Sequence, residues 1–175
     1  MSPNRFAQSK PLFRYVNEVL RRFGGTRVFL LMSLYAPFLG AGIRICRVAD
    51  DATWFEVELP LRFWNKNYFG THFGGSLYAM TDPFFALILT EFLGPDYVVW
   101  DKEATIRFKR PGRGTTRARF EIPRQQLETI RQHVDRDGKR HEIFQTNLIG
   151  PDGDVIAEIE KTVSIRRKST VINSA

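Results

Sequence analysis

Apolar residues recur along this chain at two spacings, which predict strands in some segments and helices in others. Six segments have either the β-rich composition of a strand or the apolar–polar alternation of a strand with one buried face. They are residues 43–49, 53–61, 97–109, 115–122, 142–149 and 155–165. In the second segment Phe55, Val57 and Leu59 fall on one face, and in the third Ala104, Ile106 and Phe108 do. We expect both faces to point into a core.

Other segments have helical length or helical spacing. Residues 76–93 are apolar on nearly every side and too long for a strand, so they predict a buried central helix. Pro83 has no N–H and should kink this helix, and Gly94 with Pro95 should end it. Shorter helices are predicted over residues 11–23, 27–36 and 125–134.

This order of elements predicts an α+β fold, in which an antiparallel sheet of five to six strands wraps round the long central helix. We expect an N-terminal helical extension over residues 1–39, the sheet-and-helix domain over 40–167, and a disordered tail over 168–175. The apolar stretch 28–43 is shorter than the roughly 20 residues of a membrane span. We interpret it as a core helix that ends near Pro37.

The net charge of +7 favours an anionic partner, such as nucleotide phosphates, nucleic acid or an acidic membrane surface. We find no motif for recognition of RNA or DNA, so nucleic acid is not expected. The segment 11–23 has an apolar stripe beside arginines. Such a stripe more often packs on the protein itself, and the alternative is peripheral contact with a membrane.

Cysteine usage and the start of the chain indicate the compartment. The single Cys46 cannot form an internal disulfide, and no cysteine or histidine spacing suggests a metal site. The first 25 residues have no apolar signal region. We therefore expect a cytoplasmic protein that needs neither metal nor cofactor.

The segment 67–82, with the sequence NYFGTHFGGSLYAMTD, is the most informative part of the chain. Gly74 and Gly75 lack a Cβ, so the backbone there can turn tightly and approach a ligand closely. They begin the predicted central helix, whose first N–H groups have no partner within the helix and could stabilise an oxyanion. Asp82 lies about two turns further on, within an apolar helix. A buried charge is costly without a partner or a function, so Asp82 is a candidate site residue.

These residues resemble the loop of the PaaI-like acyl-CoA thioesterases, which have the hotdog fold. That loop commonly has the pattern N-x-x-G-T-x-H-G-G, with an acidic residue nine positions after its histidine. Asn67, the Gly70–Thr71 pair, the Gly74–Gly75 pair and Asp82 match it, whereas Phe73 stands in the place of the histidine. The sequence GTHFGGSLYAMTDP, followed by WDKEATIRFKRP, is most similar to the DUF4442 branch of this superfamily.

The resemblance implies that Asp82 is the general base or nucleophile and acts across a dimer interface. It would face Asn67 and the glycine pair of the other subunit, with Asn67 orienting the water or the thioester. The alternative for Asp82 is a structural role, either at the kink or in a pair with a buried arginine. The resemblance implies a homodimer paired edge to edge, and it leaves a tetramer open.

The remaining candidates would bind substrate. Thr71 and Phe73 belong to the motif loop, and His72 has two equally weighted roles, a hydrogen bond within the loop or contact with substrate. Asp101 begins a strand whose counterpart in the family faces the site, and a surface ion pair is its alternative. Arg110 and Arg113 could hold the phosphates of coenzyme A, since arginine matches phosphate geometry. A solvated strand face is the alternative for both arginines.

These residues predict hydrolysis of a thioester of coenzyme A or of acyl-carrier protein. Two alternatives stay open. The first is a hotdog hydratase or dehydratase, which usually needs the histidine that Phe73 replaces. The second is a protein that binds acyl-CoA or lipid without catalysis.

Overall fold

The computed structural model describes residues 25–168. A 3-10 helix, Gly25–Leu34, comes first and is followed by ten elements. These are α1 (Ala36–Ala41), β1 (Arg44–Val48), β2 (Trp54–Pro60), α2 (Gly74–Ala79), α3 (Phe84–Leu93), β3 (Tyr97–Phe108), β4 (Thr115–Glu121), α4 (Arg124–Asp137), β5 (Lys139–Ile149) and β6 (Val155–Arg167). The predicted helix 11–23 and the tail after residue 168 lie outside the described residues.

The six strands form one sheet in the order β1-β2-β4-β5-β6-β3, with every neighbouring pair antiparallel. The predicted antiparallel sheet around a central helix is confirmed. Strands β1 and β3 form the two edges. β3 has 12 residues and β1 only 5, so β3 presents much the longer row of unpaired backbone groups.

The core lies between the sheet and α3. Phe55, Val57 and Leu59 are at most 1% exposed, as their alternation predicted. Aromatic rings join the sheet to the helix, with the Phe84 ring stacked 4.7 Å from that of Phe120 on β4. The apolar face of the surface helix α4 is also buried, as predicted. Burial of these large side chains is the main source of stability.

The central helix is divided into two helices, not merely kinked. α2 ends at Ala79, and residues 80–83 form a turn before α3 begins at Phe84. The Asp82 N–H donates to the Ala79 carbonyl at 3.2 Å, and the Thr81 hydroxyl donates to the Tyr78 carbonyl at 2.7 Å. Pro83 cannot donate an N–H to continue the helix. Asp82 therefore lies in a turn and not on a helix face.

Two local expectations are corrected. Pro37 begins a helix rather than ending one, because it lies in the first turn of α1, where a missing N–H costs nothing. Phe108 does not face the core and is 55% exposed, since it ends the edge strand β3. Its ring lies instead over Gly74, where an added Cβ would come within 3.2 Å of the ring.

Candidate functional site

The side-chain amide of Asn67 holds the motif loop, residues 67–73, together. Its Oδ1 accepts hydrogen bonds from the N–H groups of Phe69 (2.9 Å) and Thr71 (3.1 Å). Its Nδ2 donates to Thr71 Oγ1 at 2.9 Å and to the His72 carbonyl at 3.1 Å. A primary amide has two donor hydrogens and two good acceptor positions. The loop therefore uses the whole hydrogen-bonding capacity of Asn67.

Thr71 and His72 are buried, at 6% and 3% exposed. The His72 N–H donates to the Gly112 carbonyl at 2.9 Å, and ring Nε2 lies 3.0 Å from the Gly114 carbonyl. A carbonyl only accepts, so Nε2 carries the proton. Burial lowers the pKa of His72, although the bond to Gly114 acts in the opposite direction. Of its two predicted roles, the loop hydrogen bond is present, and contact with substrate stays a prediction.

The glycine pair begins a helix of only six residues. The N–H groups of Ser76 and Leu77 already donate to the Phe73 carbonyl, at 3.0 and 3.2 Å. Among the described residues, the N–H groups of Gly74 and Gly75 have no hydrogen-bond acceptor. The Phe73 ring lies against Gly75, where an added Cβ would come within 2.3 Å of it. Each glycine with an unpaired N–H therefore has an aromatic ring beside it, Phe108 at Gly74 and Phe73 at Gly75.

Asp82 belongs to a cluster of three charged side chains. The ammonium of Lys161 lies 3.4 Å from Asp82 Oδ1 and 2.5 Å from Asp101 Oδ2. Lys161 is 1% exposed, whereas the side chains of Asp101 and Asp82 are 23% and 57% exposed. The Tyr78 ring centroid is 5.6 Å from the same ammonium. The cluster thus joins an exposed carboxylate to a buried cation.

Ionisation in this cluster is governed by burial and by the ion pairs. Burial raises the pKa of Asp101, the Asp82 charge acts in the same direction, and the bond to Lys161 opposes the rise. Burial alone would lower the pKa of Lys161, but Asp101 and Asp82 raise it above its ordinary value. Lys161 is therefore protonated at neutral pH, and its ammonium favours the ionised form of Asp101.

A bulge in β3 brings Asp101 into the cluster. Asp101 pairs with Val163 of β6 and Ala104 pairs with Lys161, while Lys102 is the extra residue between them. Residues three apart on a regular strand lie on opposite faces. The bulge reverses that alternation, so Asp101 and Ala104 share the face that carries Lys161.

Lys161 was missed by the sequence reasoning, although a signal was present. It occupies an inward position of β6, between Ile159 and Val163, which are 2% and 0% exposed. A lysine in an otherwise apolar alternating face must be buried with a partner. Its partners lie 79 and 60 residues away in the chain, and no local pattern indicates them.

The glycine pair also separates two clefts. Gly74 lines a cleft of about 480 Å³ that contains predicted site residues Asn67, Thr71, His72, Arg110 and Arg113. Gly75 and Phe73 line a second cleft, of about 430 Å³. Asp82 and Asp101 line neither cleft. In one subunit the predicted residues therefore form three neighbouring groups and not one site.

Most of the basic side chains near the first cleft have acidic partners. Lys109 lies 3.0 Å from Glu158, and Arg110 pairs with Asp154. Two further pairs, between β4 and β2, are Arg117 with Glu58 at 2.8 Å and Arg119 with Glu56 at 2.9 Å. Arg113 is exposed and forms no ion pair with any residue in the described part of the chain. It is the better placed of the two predicted arginines to meet an anion.

A six-stranded antiparallel sheet packed on a central helix, with a glycine pair at the start of the short helix before it, defines the hotdog fold. The chain belongs to the DUF4442 family, described as a domain of unknown function, whose sequence profile matches residues 25–165. The resemblance to the DUF4442 branch is thus confirmed. No curated protein matches the chain.

Solved structures share this fold at low sequence identity. A Pseudomonas aeruginosa protein of unknown function, called a probable thioesterase, is 23% identical with a TM-score of 0.73, over 81% of this chain and 95% of that one. A Haemophilus influenzae thioesterase is 17% identical with a TM-score of 0.59, over 79% and 88%. A Chlorobaculum tepidum protein of unknown function is 20% identical with a TM-score of 0.64, over 89% and 96%.

Two further properties concern residues 25–168. No helix within this range is long and apolar enough to cross a membrane. The same range contains no group of three or more His, Cys, Asp or Glu side chains placed to hold a metal ion. Asp82 and Asp101 both contact the ammonium of Lys161.

Proposed function

We propose that this protein hydrolyses a thioester of coenzyme A or of a related carrier. Asp82 is the general base or nucleophile, and the N–H groups of Gly74 and Gly75 polarise the carbonyl. One observation carries the proposal. The exposed carboxylate of Asp82 contacts the buried ammonium of Lys161 just beyond the end of α2, and two unpaired N–H donors, those of Gly74 and Gly75, lie at the start of the same helix. The structural likeness to thioesterases supports the fold on which this chemistry would take place.

The reaction requires a nucleophile and stabilisation of negative charge. As a base, Asp82 takes a proton from water while the water oxygen bonds to the carbonyl carbon. The carbonyl electrons move onto oxygen, where N–H donors are worth about 3–4 kcal/mol each in known cases. Collapse of this intermediate expels the thiolate, which takes up the proton. As a nucleophile, Asp82 would instead attack the carbonyl carbon, and the C–S bond would break to release the thiolate. Water would then hydrolyse the resulting mixed anhydride, giving the free acid and restoring the Asp82 carboxylate.

A second copy of the chain is proposed to complete the site. α2 separates the glycine pair from Asp82, and a helix rises only about 1.5 Å per residue, so the two ends lie roughly 10 Å apart. One carbonyl cannot contact both ends of α2 in a single subunit. The long exposed edge of β3 offers a surface on which two copies could pair, as the family resemblance implies.

The carrier would enter along the cleft beside Gly74. Arg113 at its rim has a free guanidinium, and Leu77 and Phe108 supply apolar lining. This combination suits a phosphate-bearing arm that ends in an uncharged thioester. Asn67 then supports the loop rather than contacting water, since its amide is already fully hydrogen-bonded.

Binding of an acyl-CoA without hydrolysis is the second candidate. It is favoured by the side chains at and beside the place of the family histidine. Phe73 has no hydrogen-bonding group, and the His72 ring is buried against Gly114. Under this proposal the same clefts bind the ligand, and Asp82 only neutralises Lys161.

The decisive variant is Asp82→Asn, which keeps the size of the side chain but removes its basic and nucleophilic character. If Asp82 reacts, kcat should fall by at least about 10²-fold. The measurement is thiol release from a panel of acyl-CoA substrates, with acyl-CoA binding measured in parallel by calorimetry. Binding should survive the substitution. Wild-type protein that binds the panel but hydrolyses none of it would establish the non-catalytic binder instead.

A further inference from the structure

Lys161 stands at a position where an ammonium is costly. It faces inward on β6 at 1% exposure, and its cross-strand neighbours are Ala104 on β3 and Phe144 on β5. The residues on either side of it on the same face, Ile159 and Val163, are buried. A charged group removed from water in this way requires close partners of opposite charge.

The two carboxylates beside Lys161 differ in distance and exposure. Asp101 Oδ2 is at 2.5 Å and its side chain is mostly buried, whereas Asp82 Oδ1 is at 3.4 Å and its side chain is 57% exposed. The Tyr78 ring is the third group facing the ammonium. One cation with two carboxylates leaves one negative charge in excess. Because Asp101 has the tighter and more buried contact, Asp82 is the partner whose carboxylate remains open to a ligand.

We infer that Lys161 is a positioning residue: Asp101 anchors its ammonium, and the ammonium holds one oxygen of Asp82 so that the other is presented to water or thioester. The inference rests on the proposed hydrolysis. Asp82 lies in the turn 80–83, where its N–H donates to the Ala79 carbonyl but its side chain is 57% exposed, so its backbone bond does not fix the carboxylate. The contact with Lys161 supplies that constraint, and misplacing a reacting group by about 1 Å can cost about 100-fold in rate.

A purely structural role for Lys161 leads to a different expectation. Asp101 Oδ1 is buried and has no hydrogen-bond partner within the described residues, so loss of Lys161 would leave a buried carboxylate without compensation. Removing one partner of a buried ion pair is strongly destabilising, whereas removing both partners is often neutral. Stability and catalysis can therefore be separated with paired variants.

The first comparison uses Lys161→Met and the double variant Asp101→Asn/Lys161→Met. The single variant should lower Tm by roughly 10 °C, and the double variant should recover most of that loss. If Lys161 positions Asp82, kcat should fall about 10- to 100-fold in both variants, with KM little changed. If the single variant fails to fold, kcat can still be measured on the double variant, because the double variant has no buried carboxylate at position 101 left without a cation.

The second comparison asks whether Lys161 acts through Asp82. Adding Lys161→Met to Asp82→Asn should leave the residual kcat of Asp82→Asn unchanged, because residues that act as a unit are not additive. Arg47→Gln is the matched control. It removes the exposed ion pair with Glu56, at 2.6 Å, and should change neither Tm nor kcat.

Three results would overturn the inference. They are wild-type kcat in Lys161→Met, recovery of kcat together with Tm in Asp101→Asn/Lys161→Met, and a further loss when Lys161→Met is added to Asp82→Asn. The first two would make Lys161 a structural partner of Asp101. Wild-type protein that hydrolyses no thioester would refute the proposed function itself, and the positioning role with it.

Discussion

At the scale of single residues, the motif divides into side chains that hold the loop and side chains that remain free. The Asn67 amide and His72 Nε2 form hydrogen bonds with backbone and hydroxyl groups of the protein itself. Asp82 and Arg113 are exposed, and each has capacity for a ligand. A residue type in a motif thus indicates its chemistry only when its partners are known.

Arg113 is expected to contribute more than Arg110 to binding of the carrier. Arg113→Gln should raise KM for acyl-CoA about 10-fold with little change in kcat, since a charge-assisted hydrogen bond is worth about 1.5–3 kcal/mol. Arg110→Gln should have a smaller effect, because Arg110 is already paired with Asp154. Steady-state kinetics on both variants measures the difference. Equal KM values in the wild type and Arg113→Gln would show that Arg113 is a solvated surface residue that does not bind the carrier.

His72 should make stability depend on pH. Its folded pKa is lowered by burial below the unfolded value, so between the two pKa values the unfolded state binds more protons. The free energy of unfolding should therefore fall as pH drops from about 7 to about 5. Urea unfolding of the wild type and of His72→Gln at several pH values measures the contribution of His72 to this pH dependence. The same pH dependence in both proteins would assign it to other groups.

At the scale of elements, the motif loop and the divided helix place the candidate groups. The Asn67 network shapes the loop that leads into α2, and Gly70 within it has φ +73°, which glycine adopts without steric cost. The turn 80–83 then moves Asp82 off the helix axis towards β3 and β6. The bulge at Lys102 brings Asp101 to the same place.

The role of the loop can be tested with Asn67→Ala. Loss of the hydrogen bonds made by this amide should lower the free energy of unfolding by about 2–3 kcal/mol and lower kcat as well. Asn147→Ala is the control, because Asn147 is exposed on β5. Chemical denaturation measures both variants. A drop in kcat without loss of stability would instead favour direct contact of Asn67 with water or substrate.

At the scale of the whole molecule, the chain exposes several large aromatic side chains. Phe63, Tyr68 and Phe69 of the loop region are at least 80% exposed, and Trp100 on the edge strand is 71% exposed. Patches of this kind in a folded protein mark interaction surfaces. Together with the free edge of β3, they support the proposed pairing of two copies.

Trp100→Glu should weaken that pairing. A two-fold axis beside β3 would place two introduced charges near each other, and like charges destabilise a shared interface. Light scattering should show a wild-type dimer at micromolar concentration and a larger monomer fraction in the variant. Ile143→Glu is the matched control, with 60% exposure on the interior strand β5. A wild-type monomer that hydrolyses acyl-CoA would contradict both the dimer and the shared site.

The amino-acid pattern alone predicted the six strands, the buried apolar segment between them and the fold class. Alternation in β2 and β4 and the apolar run 76–93 require burial whatever the partners are, so they predict the sheet and the helix it surrounds. The motif likewise indicated the glycine pair and Asp82, because backbone freedom and a charge in an apolar run are local properties.

Only the tertiary structure decided which groups meet. Lys161 and Asp82 are 79 residues apart in sequence, and their contact depends on the order of strands in the sheet. The bulge in β3 reverses the face that alternation assigns to Asp101, and the break at Pro83 moves Asp82 out of the helix. Periodicity describes how one element meets a core. It contains no information on which distant side chain lies across that core, because that depends on packing of the whole chain.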